Sequence, residues 1–203
     1  ITHRYPEDRI FAEEDGLRSP ISEGSVWVID PIDGTNNFVT QKEDFAVMVA
    51  YFEDGIGQFG LIYDVMRDHL FYGGGEFPVY RNEVELTPFV DQPLENFLIA
   101  SNVGMLEKND WGMADLGMDS LGIRVYGSAG ISFSKILSGG ILAYFSYIWP
   151  WDYAAAAIMG DQLGYTVLNL NGDKPNYQTV EPIMMVPKVK LTEIQTYLKK
   201  GRS

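Results

Sequence analysis

Trp27-Val28-Ile29-Asp30-Pro31-Ile32-Asp33-Gly34-Thr35-Asn36-Asn37-Phe38 says more about this chain than any other stretch of it. The apolar run from Val26 to Ile29 reads as a buried strand, stopped by a carboxylate and a proline. Three residues on stands a second carboxylate, Asp33, followed by Gly34-Thr35, which suits a turn feeding a helix N-terminus. Two acidic oxygen donors at a strand end, beside main-chain N–H groups able to bind an anion, make a place for a divalent cation and a phosphate together. The pattern points to metal-assisted phosphate chemistry.

Composition narrows the alternatives. A chain of 203 residues, 46% of them hydrophobic, can bury a sizeable core, and one domain is the expectation. No apolar run approaches the ~18 residues of a membrane helix, and Ile1 to Asp8 is polar, without the apolar segment of a secretory signal. The absence of cysteine excludes disulfides and thiolate metal sites. With His3 and His69 as the only histidines, any metal would be held mainly by oxygen, which favours magnesium, manganese or calcium. Fifteen Lys and Arg against 28 Asp and Glu leave a formal net charge of −13, which argues against extended nucleic-acid contact. A soluble, cytoplasmic protein that acts on a small phosphorylated molecule, with neither nucleic acid nor membrane as partner, is the plain reading.

Outward from the central motif, apolar alternation and turn signals give an antiparallel meander. Its strands are 46–53, 57–64, 69–72 and 79–81, with Asp54-Gly55, Met66-Arg67-Asp68 and Gly73-Gly74-Gly75 as breaks. The second half alternates strands with helices. Strands are expected at 97–100, 123–126, 141–148, 165–170 and 182–186. Helices are expected at 112–121, from a Ser128 cap to Leu137, at 152–163 and at 191–200. Such alternation argues for a layered α/β domain.

Taken singly, the chemical residues have ordinary structural readings. Glu13-Glu14-Asp15 fits a solvated turn, Asp30 and Asp33 fit turn residues at a strand end, Asp152 fits an N-cap, and Gly127-Ser128 fits a helix cap. Pro31 restricts the backbone and helps fix where the Ile32 carbonyl points, although a plain strand terminator would look the same.

Together they form a pattern. Asp30-Pro31-Ile32-Asp33-Gly34-Thr35-Asn36-Asn37-Phe38 with Trp151-Asp152-Tyr153-Ala154-Ala155-Ala156 closely resembles the two signatures of the inositol monophosphatase family, and Ala12-Glu13-Glu14 is similar to its Gly-Glu-Glu element. The likeness runs from about residue 4 to the C-terminus. It implies an α/β (α+β) fold, a layered αβαβα sandwich, as one inositol monophosphatase-like domain over 1–203. Residues 1–95 would form the metal-site and antiparallel-sheet half, and 96–203 the C-terminal α/β half. The family's N-terminal helices and mobile loop are missing before Ile1, so a truncated start is expected.

The resemblance also implies a site. Glu13, Asp30 and the Ile32 carbonyl would hold one Mg²⁺, and Asp30, Asp33 and Asp152 a second, with a weaker third ion facing Glu13. Mn²⁺ is an alternative, and Li⁺ or Ca²⁺ would inhibit. Asp33 and the N–H groups of Gly34 and Thr35 would bind phosphate. Glu13, Asp33 and Thr35 are the expected catalytic residues, with the Thr35 hydroxyl paired to Glu13. Ala129, Ser146 and Asp152 would contact substrate. Ser146 stands where the animal enzymes carry a glutamate, and a serine is a shorter, uncharged partner. The expected activity is Mg²⁺-dependent hydrolysis of inositol monophosphate or a related sugar or polyol phosphate by activated water, in a homodimer. The rivals are a nucleotide phosphatase acting on NADP or 3′-phosphoadenosine 5′-phosphate, and a non-catalytic metal-binding relative.

Overall fold

The computed structural model describes residues 1–16 and 18–200, with Asp15, Lys199 and Lys200 described by their backbone alone. Seven strands form the first sheet in chain order: β1 (Arg9–Ala12), β2 (Ser25–Asp33), β3 (Ala46–Glu53), β4 (Ile56–Asp64), β5 (His69–Gly74), β6 (Phe77–Arg81) and β7 (Val84–Glu85). β1 runs parallel to β2, and every later pairing is antiparallel, as hairpins with short turns require. The second sheet takes β8 (Leu98–Ser101), β9 (Gly122–Arg124), β10 (Ala143–Ile148), β11 (Tyr165–Asn169) and β12 (Glu181–Pro187) in the order β11-β12-β10-β8-β9. β10-β8 and β8-β9 are parallel and are joined through helices, because a parallel pair needs a crossover.

The helices are α1 (Thr35–Thr40), α2 (Val103–Glu107), α3 (Met113–Asp119), α4 (Ala129–Leu137), α5 (Pro150–Gln162) and α6 (Leu191–Lys200). α4 and α5 lie between the sheets. Their Ile131, Phe133, Tyr153 and Met159 share one core with Val28 and Met48 of the first sheet and Met185 of the second. The other face of the second sheet, with Phe145 and Met184, is covered by Met113, Leu116 and Ile194 of α3 and α6. The result is a sheet–helix–sheet–helix stack, the expected sandwich less its outermost helical layer among the described residues. The far face of the first sheet carries Phe59, Leu61, Tyr72, Phe77 and Tyr80.

Close packing of α5 depends on a small residue. At Gly60 of β4 an added Cβ would run into the Ala155 carbonyl, so the helix lies directly against the strand. This contact seats the helix that carries Asp152.

Several boundaries differ from expectation for identifiable reasons. β2 does not stop at Asp30 but continues through Pro31 to Asp33 across a register shift. α5 starts at Pro150, with Trp149 as its cap, so Asp152 is the third helical residue rather than the N-cap. Proline favours that first position because its missing N–H is one no helix could satisfy. In place of one helix over 112–121, a 3-10 turn, Asp110–Gly112, runs directly into α3, with Trp111 held at φ 57° inside the turn. β1, β7 and the five-residue α2 were not expected. α2 forms because the Asn102 side chain caps it by accepting from the Met105 N–H at 2.9 Å.

Candidate active site

The pleat of β2 aims its carboxylates. Val26, Val28 and Asp30 alternate onto the buried face, so the period that builds the core also carries Asp30 inward, where it is 1% exposed. Asp33 lies three residues on, and an unbroken pleat would turn it to the opposite face. The register shift prevents this: Asp30 pairs with Met48 and Asp33 with Ala46, three steps on β2 against two on β3. One extra residue flips the parity. Both carboxylates therefore point into the gap between the sheet and the α4–α5 layer.

Asp33 meets the start of α4 there. Oδ1 accepts the Ala129 N–H at 3.1 Å, Oδ2 accepts the Gly130 N–H at 2.8 Å, and the Ser128 hydroxyl also donates to Oδ2. Ser128 in turn caps its own helix, its Oγ accepting from the Ile131 N–H at 3.1 Å. Asp152 is fixed in the first turn of α5, where its Oδ2 accepts the Trp149 N–H at 2.7 Å. Asp30 Oδ1 accepts the Ile32 N–H at 3.0 Å.

Carboxylate oxygens of Asp30, Asp33 and Asp152 all come within 4.8 Å of one another. Burial, the charges of Asp33, Asp152 and Glu13, and one opposing hydrogen bond from Ile32 leave the Asp30 carboxyl pushed up to about 9. Burial and the charge of Asp33, offset by the bonds to Trp149 and Asp30, raise Asp152 to about 7. Burial also raises Asp33, while Ser128, Gly130 and Ala129 pull it down. Among the described residues no lysine, arginine or histidine forms an ion pair with any of the three. Two buried acids and a half-buried third, with no cationic partner among the described residues, cannot all ionise together unless a cation joins them. An all-oxygen donor set of this charge fits a hard divalent ion such as Mg²⁺. The residues present suit the group.

The remaining expected residues fall around this cluster. Glu13 lies beyond the 4.8 Å set but is near enough for its charge to raise all three aspartates. Its main-chain N–H donates to the Ile29 carbonyl at 3.3 Å, which ties it to β2. Thr35 does not bond Glu13: its hydroxyl donates to the Ile32 carbonyl at 3.1 Å, three residues back. Gly34 has φ 83° and opens α1; an added Cβ would come within 2.9 Å of Ser128 Cβ. The N–H groups of Gly34 and Thr35 belong to the turn where a helix has no acceptors of its own. Ala129 reaches the site, but its N–H is taken by Asp33. Ser146 is 5% exposed, and its Oγ accepts from Asn102 Nδ2 at 3.1 Å.

This constellation can be set beside known proteins. The sequence profile described as "Inositol monophosphatase family" matches residues 1–201. The chain belongs to the inositol monophosphatase family. Inositol-1-monophosphatase of Bacillus subtilis (strain 168) is 37% identical over 179 residues, which span 85% of this chain and 68% of that protein. Human inositol monophosphatase 2 is 28% identical over 185 residues, 85% of this chain and 64% of its own length. The chain thus spans about two thirds of the curated relatives it matches. Staphylococcal IMPase-II superposes with a TM-score of 0.91 at 32% identity, covering 98% of this chain and 78% of that one. Structures of SaIMPase-II bound to inositol monophosphate and to 2′AMP each give a TM-score of 0.90 at 31% identity; both cover 98% of this chain, and they cover 80% and 79% of their own chains.

Two features of this inositol monophosphatase family chain escaped sequence reasoning. Asn37, quoted only as part of the first signature, is buried, and its Nδ2 donates to the carbonyls of Asp44 at 2.9 Å and Tyr126 at 2.7 Å. It staples α1 to the segment entering α4. The available signal was an asparagine standing beside Phe38 in the turn that opens α1. Tyr144 is buried beside the site, near enough to Asp33 and Asp152 for their charges, with burial foremost, to raise its hydroxyl. Strand alternation with Ser146 could have indicated its direction.

Proposed function

We propose that this chain is a Mg²⁺-dependent phosphomonoesterase that hydrolyses inositol monophosphate or a related sugar, polyol or nucleotide phosphate. The observation that carries the reading is the group of three carboxylates, Asp30 and Asp33 buried and Asp152 half-buried, without a cationic partner among the described residues, beside the first turn of α1. Asp30, Asp33 and Asp152, with Glu13 and the Ile32 carbonyl, would hold the ions. When bound, such ions activate water, neutralise phosphate oxygens and stabilise the leaving alkoxide.

The chain's own groups do the rest. The N–H groups of Gly34 and Thr35 receive phosphate oxygens at the helix start. Thr35 Oγ1 has its own proton committed to Ile32, so its lone pairs are left to accept a proton from an attacking water. Asp33 is held rigidly by α4 and so presents its carboxylate without a reorganisation cost. Ala129 and Ser146 shape the wall on the substrate side. Asp30 and Asp33 come from the first half and Asp152 from the second, which supports a single working unit over both.

Ser146 in place of a carboxylate weakens selection for a polyol's hydroxyls, and the 2′AMP complex of the staphylococcal relative supports nucleotide phosphates as a second substrate class. A homodimer and inhibition by Li⁺ belong to this proposal on family resemblance alone, and a cytoplasmic location on composition alone. Among the described residues no helix is long and apolar enough to cross a membrane.

The test is phosphate release from inositol 1-phosphate, fructose 1,6-bisphosphate, 2′-AMP, NADP and 3′-phosphoadenosine 5′-phosphate, in Mg²⁺ and in EDTA. Release from one or more compounds in Mg²⁺ alone is expected. Silence on all five, with Mg²⁺ binding intact, would favour a non-catalytic metal-binding protein.

A further inference from the structure

Five residues after Glu13, the Arg18 side chain reaches back to β1 and to the start of α5. The Arg18 guanidinium carbon lies 4.5 Å from the ring centroid of Trp151, 5.3 Å from Trp149 and 5.7 Å from Phe11. The two tryptophans stack at 4.8 Å with 9° between their planes, and Phe11 meets Trp151 edge-on at 5.6 Å. Arg18 Nη1 also donates to the Ala12 carbonyl at 2.8 Å, one residue before Glu13. The next residue, Ser19, donates its hydroxyl to the Ile10 carbonyl at 3.1 Å, a second tie to β1.

Each of these four contacts of Arg18 leads to the candidate metal site. Phe11 and Ala12 belong to β1, which delivers Glu13. Trp149 and Trp151 open α5, and the Trp149 N–H bonds the Asp152 carboxylate. Glu13 is the one acidic residue of the expected set that is exposed and lies on a loop, where position is least determined by packing. A planar guanidinium is suited to join these parts, since it stacks on rings and donates in plane at once.

We infer that Arg18 is a positioning residue, clasping the Glu13 loop to the Trp149–Trp151 stack so that Glu13 faces the Asp30–Asp33–Asp152 cluster. The inference rests on the metal-site reading above. It makes Mg²⁺ affinity depend on a side chain that touches neither ion nor substrate.

The experiment is calorimetric titration of Mg²⁺ into the substrate-free chain, for the wild type, Arg18→Met, Arg18→Lys, Glu13→Gln, the Arg18→Met/Glu13→Gln pair and Asp30→Asn. Arg18→Met is expected to raise the Mg²⁺ dissociation constant about fivefold, within the range of a partly desolvated cation–π contact. Arg18→Lys, which keeps a cation over the rings, recovers part of that. Because Arg18 acts through Glu13, the double variant binds no more weakly than Glu13→Gln alone, within about twofold. Tryptophan emission of Arg18→Met shifts without Mg²⁺, reporting loss of the clasp. Unchanged Mg²⁺ affinity in Arg18→Met, or losses that multiply in the double variant, would overturn the inference. If Asp30→Asn binds Mg²⁺ like the wild type, the metal-site reading itself has failed; if it does not bind while Arg18→Met binds normally, only the clasp has.

Discussion

The Ser128 hydroxyl donates to Oδ2 of Asp33, joining the end of β2 to the start of α4 across 95 residues of sequence. The same oxygen of Ser128 caps α4 through Ile131, so one side chain both starts a helix and orients a site carboxylate. Removing it disturbs both functions.

Ser128→Ala is expected to destabilise the fold by about 2 kcal/mol, combining a lost N-cap with a lost hydrogen bond to a buried charged group. Turnover falls as well, because Asp33 loses one of its fixed orientations. Urea denaturation and steady-state rates, measured side by side, check the two effects.

Gly60→Ala places a methyl against the Ala155 carbonyl in the body of α5. Overpacking of this kind costs about 1–3 kcal/mol. Since α5 carries Asp152, the variant also weakens Mg²⁺ binding. Chemical denaturation with and without Mg²⁺ shows whether the ion restores part of the loss.

The pH dependence has a definite direction. Asp30 and Asp152 sit at about 9 and about 7 in the folded chain, against ~3.9 for an unperturbed aspartate. Carboxyls raised on folding contribute stability that is full below about pH 4 and is lost progressively as pH climbs from there to about 7 for Asp152 and about 9 for Asp30. In EDTA the melting temperature therefore falls across that window. Mg²⁺, which requires the ionised forms, opposes the fall and releases roughly one proton at neutral pH. Calorimetry in two buffers of different ionisation enthalpy measures that proton.

The two signatures made the site legible because its chemistry is written in side chains at fixed spacing. Asp30, Asp33 and Asp152 converge from residues read in sequence alone. What brings them together was harder to see. The parity flip at Pro31-Ile32 is a register event between β2 and β3, visible only once both strands are paired. The clash of an added Cβ at Gly60 with Ala155 and the stacking of Arg18 on Trp149 and Trp151 depend on partners far along the chain. Strands 46–53 and 165–170 were legible through alternation and length, whereas α2 and β7 are too short to show a period. Ser146, expected to face substrate, also accepts from Asn102 and so holds the cap of α2.

The most direct test compares Asp30→Asn with the wild type for phosphate release from inositol 1-phosphate as Mg²⁺ is titrated. An asparagine can still accept the Ile32 N–H and carries no buried charge, so the variant should fold and melt higher in EDTA at pH 8. Mg²⁺-dependent release is expected to be lost in this well-folded protein and present in the wild type. Release at the wild-type rate, with the same Mg²⁺ dependence, would contradict it.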